Sequence, residues 1–192
     1  MRAGSNIALK EWASVVAALA RGQQIFLLRK GGIAEESGEF HVQHREFFLY
    51  PTYEHQHQNL LQPEYCTSLR EILDTSSPTA ELAVACYGIV QEFLVADSEE
   101  RFLELREHYI WNQSYIKMRF HYKPHLPLYV IFLRAYRLPQ PWKVPILPRY
   151  AGCKSWVELD QELSTAGATP VLADDDFLRR KEALKKFLAG KE

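Results

Sequence analysis

No aspartate or glutamate occurs between positions 108 and 157, a run of fifty residues in a chain of 192. Eight basic residues do occur there: Lys117, Arg119, Lys123, Arg134, Arg137, Lys143, Arg149 and Lys154. The run therefore carries +8 inside a chain whose net charge is −1. Cysteine is also scarce. Cys66, Cys86 and Cys153 are odd in number and form no CxxC pair, which argues against a disulfide framework or a zinc knuckle and fits a reducing compartment. No apolar run approaches the roughly 18–20 residues that a membrane-crossing helix needs. The opening "MRAGSNIALKEW" has no apolar h-region, so no signal peptide is expected. These absences predict a soluble cytoplasmic protein with no membrane insertion.

What is present is apolar and aromatic enough, at 47% and 12%, to build a core without disulfides or metal. Eleven aromatics share the acid-free run with the eight cations. Cations for phosphates interleaved with rings for stacked bases is the composition of single-stranded nucleic-acid surfaces. The chain length suits one domain over residues 1–163, a linker "STAGATP" over 164–170, and a C-terminal helical tail over 171–192.

Ile7, Trp12, Val15, Val16 and Leu19 recur at helical spacing before Gly22, which predicts an opening helix with Trp12 in the core. "QQIFLLRKGG" predicts a buried strand, and Phe40, Val42, Phe48 and Tyr50 predict a second that pairs with it as a hairpin. Thr52 is expected to cap a short helix from residue 53 to about 61, and Ser68 with Glu71 a capping box for the next. "ELAVACYGIVQEFLV" predicts a central strand, followed by a helix capped at Asp97 and running to about Trp111. "KMRFHYKPH" alternates strictly, so a strand is expected there, with Lys117, Arg119, His121, Lys123 and His125 on one face. "LPLYVIFLRAYRL" predicts a further buried strand, and the prolines after it forbid a central strand throughout. Ser155 and Glu158 have capping-box spacing for a helix "WVELDQEL". The tail places acids before bases, matching a helix dipole, with an apolar stripe at Phe177, Leu184, Phe187 and Leu188.

Four of the seven histidines lie in "FHVQHREFFLYPTYEHQH". On a strand, His44 and Glu46 share a face while His41 points away. A metal would need His44, Glu46 and one of His55 or His57, with nothing like HExxH in support, and no cofactor is expected. His44, Glu46 and His55 can instead line a pocket that hydrogen-bonds a base edge, or form a polar turn. Arg29 and Lys30 in "RKGG" can flank a phosphate, although a turn explains the glycines equally well. Cys153 is more simply a buried thiol than a nucleophile.

Three stretches, "IALKEWASVVAALARGQQIFLLRKGGIAEESGEF", "FFLYPTYEHQ" and "YAGCKSWVEL", together resemble a bacterial family known from cyanobacteria and bacilli as domain of unknown function 1802. That resemblance spans residues 7–163 and implies no assigned reaction. "ARGQQIFLLR", with Gly22 and Arg29, is similar to the start of PUA-like barrels such as the ASCH and EVE domains. That similarity implies an α+β fold with a mostly antiparallel, barrel-like sheet flanked by helices, and RNA or modified-base binding. ASCH amidohydrolases acting on modified cytidine carry Lys and Thr where this chain has Gln24 and Ile25, so that activity is not implied.

The first functional expectation is a nucleic-acid-binding module, for RNA rather than DNA. Lys117, Arg119, Lys123, Arg149 and Lys154 would meet phosphates, and Trp111, Tyr122 and Trp142 would stack bases. The alternatives are a hydrolase or nuclease using His44, Glu46 and His55, and a subunit docking an acidic protein partner.

Overall fold

The computed structural model describes residues 1–30, 43–53, 57–76, 80–152 and 154–190. Seven strands form one mixed sheet: β1 (Gly4–Trp12), β2 (Phe26–Lys30), β3 (Glu46–Thr52), β4 (Glu81–Ala96), β5 (Leu128–Pro145), β6 (Trp156–Ser164) and β7 (Thr169–Pro170). Among the described residues five helices flank it: α1 (Ala13–Ala20), α2 (Pro63–Ser76), α3 (Glu99–Glu104), α4 (Gln113–His121) and α5 (Asp174–Leu188). The strand order is β2-β5-β4-β3-β1-β6, with β7 added to β5. The fold is α+β and mostly antiparallel, as expected, but the strand path stays open from β2 to β6 and no barrel closes. The β1–β3 pair is parallel, and the other described pairings are antiparallel.

The opening segment is a strand where a helix was expected. Ala8 and Leu9 point to opposite faces and are both buried, between β3 and β6. Burial on two faces favours a central strand over the helix propensity of Ala and Leu. The helix begins only at Ala13, and Gly22 follows it at φ +70, the left-handed conformation that glycine tolerates. The expected β2–β3 hairpin does not form, because β2 pairs with β5 and β3 lies between β1 and β4.

β4 and β5 are long enough to serve two cores. One core lies under α1 and α3–α5 and includes Leu9, Leu19, Phe26, Phe102 and Phe132. The other lies where β1, β3, β6 and the far halves of β4 and β5 curl together, around Phe48, Tyr87, Val144, Tyr150 and Leu159. The bend between them coincides with a bulge in which Val84 faces Trp142 but Cys86 faces Arg137. Pro139 and Pro141 lie within that bulge, where their missing N–H groups break no regular ladder.

Two further elements exchange type. "WVELDQEL" is strand β6, since Val157 and Leu159 are buried while Glu158 and Asp160 are exposed. Ser155 caps no helix there. "KMRFH" is the second half of helix α4. Its Asn112 side chain accepts from the Tyr115 N–H at 3.0 Å, and Tyr115 and Ile116 are buried in its first turns. α3 is capped by Ser98 rather than Asp97 and ends at Glu104, while Trp111 forms an isolated bridge with Leu61. α2 starts at Pro63, one turn before the expected capping box, and residues 58–60 form a single 3-10 turn.

α5 lies against the first core through buried Phe177, Leu184 and Leu188. Residues 164–170 hold the end of β6, a turn at Gly167 (φ +75) and β7. No helix of the described residues is long and apolar enough to cross a membrane.

Candidate functional site

β1 and β3 run parallel, so both end at the same edge of the molecule, with Trp12 opposite Thr52. β2 places Arg29 beside them, α4 overhangs them, and the segment leading into β6 returns along the rim. Together they enclose a recess of about 300 Å³ that includes Lys10, Glu11, Trp12, Arg29, Thr52, Tyr115, Arg119 and Lys154. Among the described residues, four cations from four separate segments thus line the recess with one carboxylate.

The charges are held in place. Glu11 Oε2 accepts from Arg29 Nη2 at 2.8 Å, and its Oε1 accepts from the Trp12 N–H at 2.8 Å. Arg29 Nη2 also reaches the Lys10 carbonyl at 2.9 Å. Lys10 Nζ donates to the carbonyls of Tyr150 and Gly152, each at 2.8 Å, which pins the rim to β1. The Nε atoms of Arg29 and Arg119 are buried without a hydrogen-bond partner among the described residues. On α4, Tyr115, Met118 and Arg119 fall at i, i+3 and i+4 and so share the face that looks into the recess. Tyr115 packs on Trp12 with ring centroids 5.1 Å apart, and burial pushes its phenol up to about 12.

A second compartment of about 230 Å³ adjoins the first and shares Lys10 and Thr52 with it. Its walls are less polar: Tyr50, Pro51, Tyr53, Leu82, Ile146, Leu147 and Tyr150. Tyr50 and Tyr150 meet edge to face, with centroids 6.1 Å apart. Burial, then the neighbouring Tyr150, raises the Tyr50 phenol to about 12, so its hydroxyl stays protonated and can donate as well as accept.

Of the residues singled out from the sequence, Arg29, Arg119 and Lys154 come together in the cationic recess. Lys117, Tyr122 and Lys123 are exposed on α4 and the turn after it, with Lys123 Nζ 5.4 Å from the Tyr122 ring. Because this segment is helical, Lys117 and Arg119 lie about 200° apart rather than on one strand face. Lys30 is elsewhere. Its ammonium donates to the Phe120 carbonyl, and burial, then Arg119, lowers its pKa. Trp111 is 2% exposed and stacks on Tyr115 inside the core, so it offers no face to a base. Trp142 is part-exposed on the bulged half of β5, donating to the Ser164 carbonyl at 3.1 Å. Arg149 is paired with Asp160 and lies over Tyr150.

The histidine stretch lies at the other end of β3. Glu46 and Thr52 are six residues apart on that strand, roughly 20 Å. Burial works to raise the Glu46 pKa, but the Arg2 N–H at 2.8 Å, the Tyr87 hydroxyl at 2.9 Å and nearby positive charge lower it overall. His44 stands edge-on to Trp156 with centroids 5.0 Å apart. Burial, then the Arg2 charge, lowers its pKa against the pull of Glu158. His41, His55 and Cys153 lie outside the described residues. Among the described residues no group of three His, Cys, Asp or Glu side chains could hold a metal ion.

Lys10, Glu11, Thr52, Tyr50, Tyr53 and Tyr150 were not singled out from the sequence as site residues. The one local signal was a charged pair, Lys10–Glu11, inside an otherwise apolar segment.

No curated protein matches the sequence significantly. Two solved structures overlap the fold, both of ASCH from Zymomonas mobilis. A serine-to-alanine mutant of it is 12% identical, covering 95% of this chain and 99% of that one with a TM-score of 0.41. The other is 11% identical, covering 92% and 93% with a TM-score of 0.40. The family model described as Domain of unknown function (DUF1802) matches residues 8–183, and the chain belongs to that family.

Proposed function

We propose that the protein binds nucleic acid, RNA before DNA, and that the two-compartment cleft at the ends of β1 and β3 is where it does so. One observation carries this reading: Lys10, Arg29, Arg119 and Lys154 converge from four segments on a recess with a single carboxylate among the described residues, beside a compartment walled by tyrosines. Cations attract phosphate, and the half-buried Tyr53 ring among apolar neighbours can take a base without demanding a sequence. Tyr122 and Lys123, exposed just after α4, extend the surface past the recess, while Lys117 lies on the opposite side of that helix.

The net excess of three cations sets a scale for salt dependence. For a single strand the slope of log K against log salt is about −0.7 per phosphate neutralised, or roughly −2 here. Affinity should then fall roughly 20-fold between about 50 and 200 mM salt. The test is a fluorescence-anisotropy titration of labelled single-stranded RNA, duplex RNA and DNA at those two salts. The double variant Arg119→Glu, Lys154→Glu is run alongside, with its circular-dichroism melt as a folding control. Loss of binding in a folded variant supports the cleft. Undiminished binding in it removes the cleft from the reading.

A further inference from the structure

We infer that the cleft selects a single nucleotide carrying a terminal phosphomonoester, with the phosphate in the cationic recess and the base in the tyrosine compartment. The inference deepens the reading above and rests on its placement of the ligand in this cleft.

Size comes first. The recess of about 300 Å³ and the compartment of about 230 Å³ meet at Lys10 and Thr52. Together they fall in the range of roughly 300–1,000 Å³ that holds one small ligand. That is room for one nucleotide, not for a run of them. The shared residues put the junction where a ribose would join the two parts.

Charge comes next. Among the described residues, four cations and one carboxylate leave an excess of three in the recess. An internal phosphodiester brings a single negative charge. A phosphomonoester brings about −1.5 to −2 near neutral pH and three acceptor oxygens. A terminal phosphate answers that charge excess better than a diester.

The other half selects for a ring. Tyr50 and Tyr150 form its buried wall, half-buried Tyr53 lies beside them, and Leu82 and Leu147 add apolar surface. A planar base can pack there against half-buried Tyr53 and exposed Ile146, a contact that inorganic phosphate cannot make. A free nucleotide and the phosphorylated end of a strand present the same chemistry, and the experiment separates them.

The probes are one short single-stranded RNA with a terminal phosphate and the same RNA ending in hydroxyls, each fluorescently labelled at the other end. The competitors are adenosine monophosphate, adenosine and inorganic phosphate. The phosphorylated strand is expected to bind at least ten-fold tighter than the hydroxyl strand. Adenosine monophosphate should displace it at concentrations where adenosine and phosphate do not. Lys154→Ala, at an exposed position, should erase most of the preference. Equal affinity for the two strands overturns the inference and leaves the nucleic-acid reading standing. If neither strand binds but calorimetry detects adenosine monophosphate, the nucleic-acid reading fails and the inference holds with a free nucleotide as source. If no probe binds, both fail.

Discussion

Replacing Glu11 by Gln should make the protein less stable and a tighter anion binder, two effects of opposite sign from one side chain. Glu11 uses both oxygens: one accepts from Arg29, the other from the Trp12 N–H. A glutamine has one carbonyl oxygen, so whichever donor faces its amide nitrogen loses its acceptor. The two side chains are 10% and 18% exposed, so the pair is neither solvated nor deeply buried. An exposed pair is worth about 0–1 kcal/mol. Breaking a buried one costs about 3–5 kcal/mol. At this burial the loss should fall between them, about 2–3 kcal/mol. The same change removes the carboxylate from the recess. A like charge near an incoming phosphate opposes it by about 1 kcal/mol in a water-like dielectric. Its removal should therefore tighten anion binding roughly five-fold. Urea melts give the first quantity and anisotropy of a labelled RNA at low salt gives the second. Stability within about 0.5 kcal/mol of the parent would mean that the ion pair does not form in solution. Weaker binding in a folded variant would mean that Glu11 touches the ligand itself, and the recess would no longer be a cation site guarded by one acid.

The attachment of α5 should depend on its apolar stripe rather than its ion pairs. Leu184→Ala, at a position 2% exposed, should lower stability in urea melts by about 2–5 kcal/mol. Lys185→Ala removes a half-exposed contact with Glu92 at 2.7 Å and should cost under about 1 kcal/mol. The reverse ranking would mean that the helix is held electrostatically. Part of the acid sensitivity should trace to Glu46, whose pKa is lowered on folding as that of Glu92 is. A lowered carboxylate stabilises the fold above its ordinary value of 4.5, and that stability is lost as pH falls through the lower folded value. Melts between about pH 5 and pH 3 should therefore be flatter for Glu46→Gln than for the parent, and an unchanged acid limb would contradict the assignment.

Much of the fold was legible where one signal dominated. The continuous apolar runs of β4 and β5, Gly22 after α1, and the acid-to-base gradient of α5 each had a single structural meaning. The failures share a cause. In "NIALKEW" the apolar positions fit a helix as well as a strand, and only pairing with β3 and β6 decides between them. In "KMRFHYKPH" the alternation is real but accidental. Asn112 starts a helix, and Met118 and Tyr122, which alternate with the cations, are 45% and 51% exposed. In "WVELDQEL" the capping-box spacing of Ser155 and Glu158 competed with the two-residue period of Val157 and Leu159, and burial follows the period. Local spacing loses to tertiary burial in each case.

The charge asymmetry shows why the site was only half legible. A run of fifty residues without an acid looks like a positive surface, but folding brings acids to it from outside. Arg134 is buried against Asp174 of α5, and Arg149 meets Asp160 of β6. Arg137 donates to the Ala20 carbonyl at the end of α1. These three cations secure the structure. Lys117, Lys123 and Lys143 point outward, on α4, the turn after it and β5. Only Arg119 and Lys154 of the eight reach the recess, and the other two cations there, Lys10 and Arg29, come from strands far away in sequence. A run of like charge predicts a binding surface only if its complement is also absent in space. Here the positive field is made by convergence: the parallel β1–β3 pair brings Lys10 to the strand ends opposite Tyr50, β2 adds Arg29, and one face of α4 adds Arg119. Moving any one of those elements would disperse the charge without changing the composition.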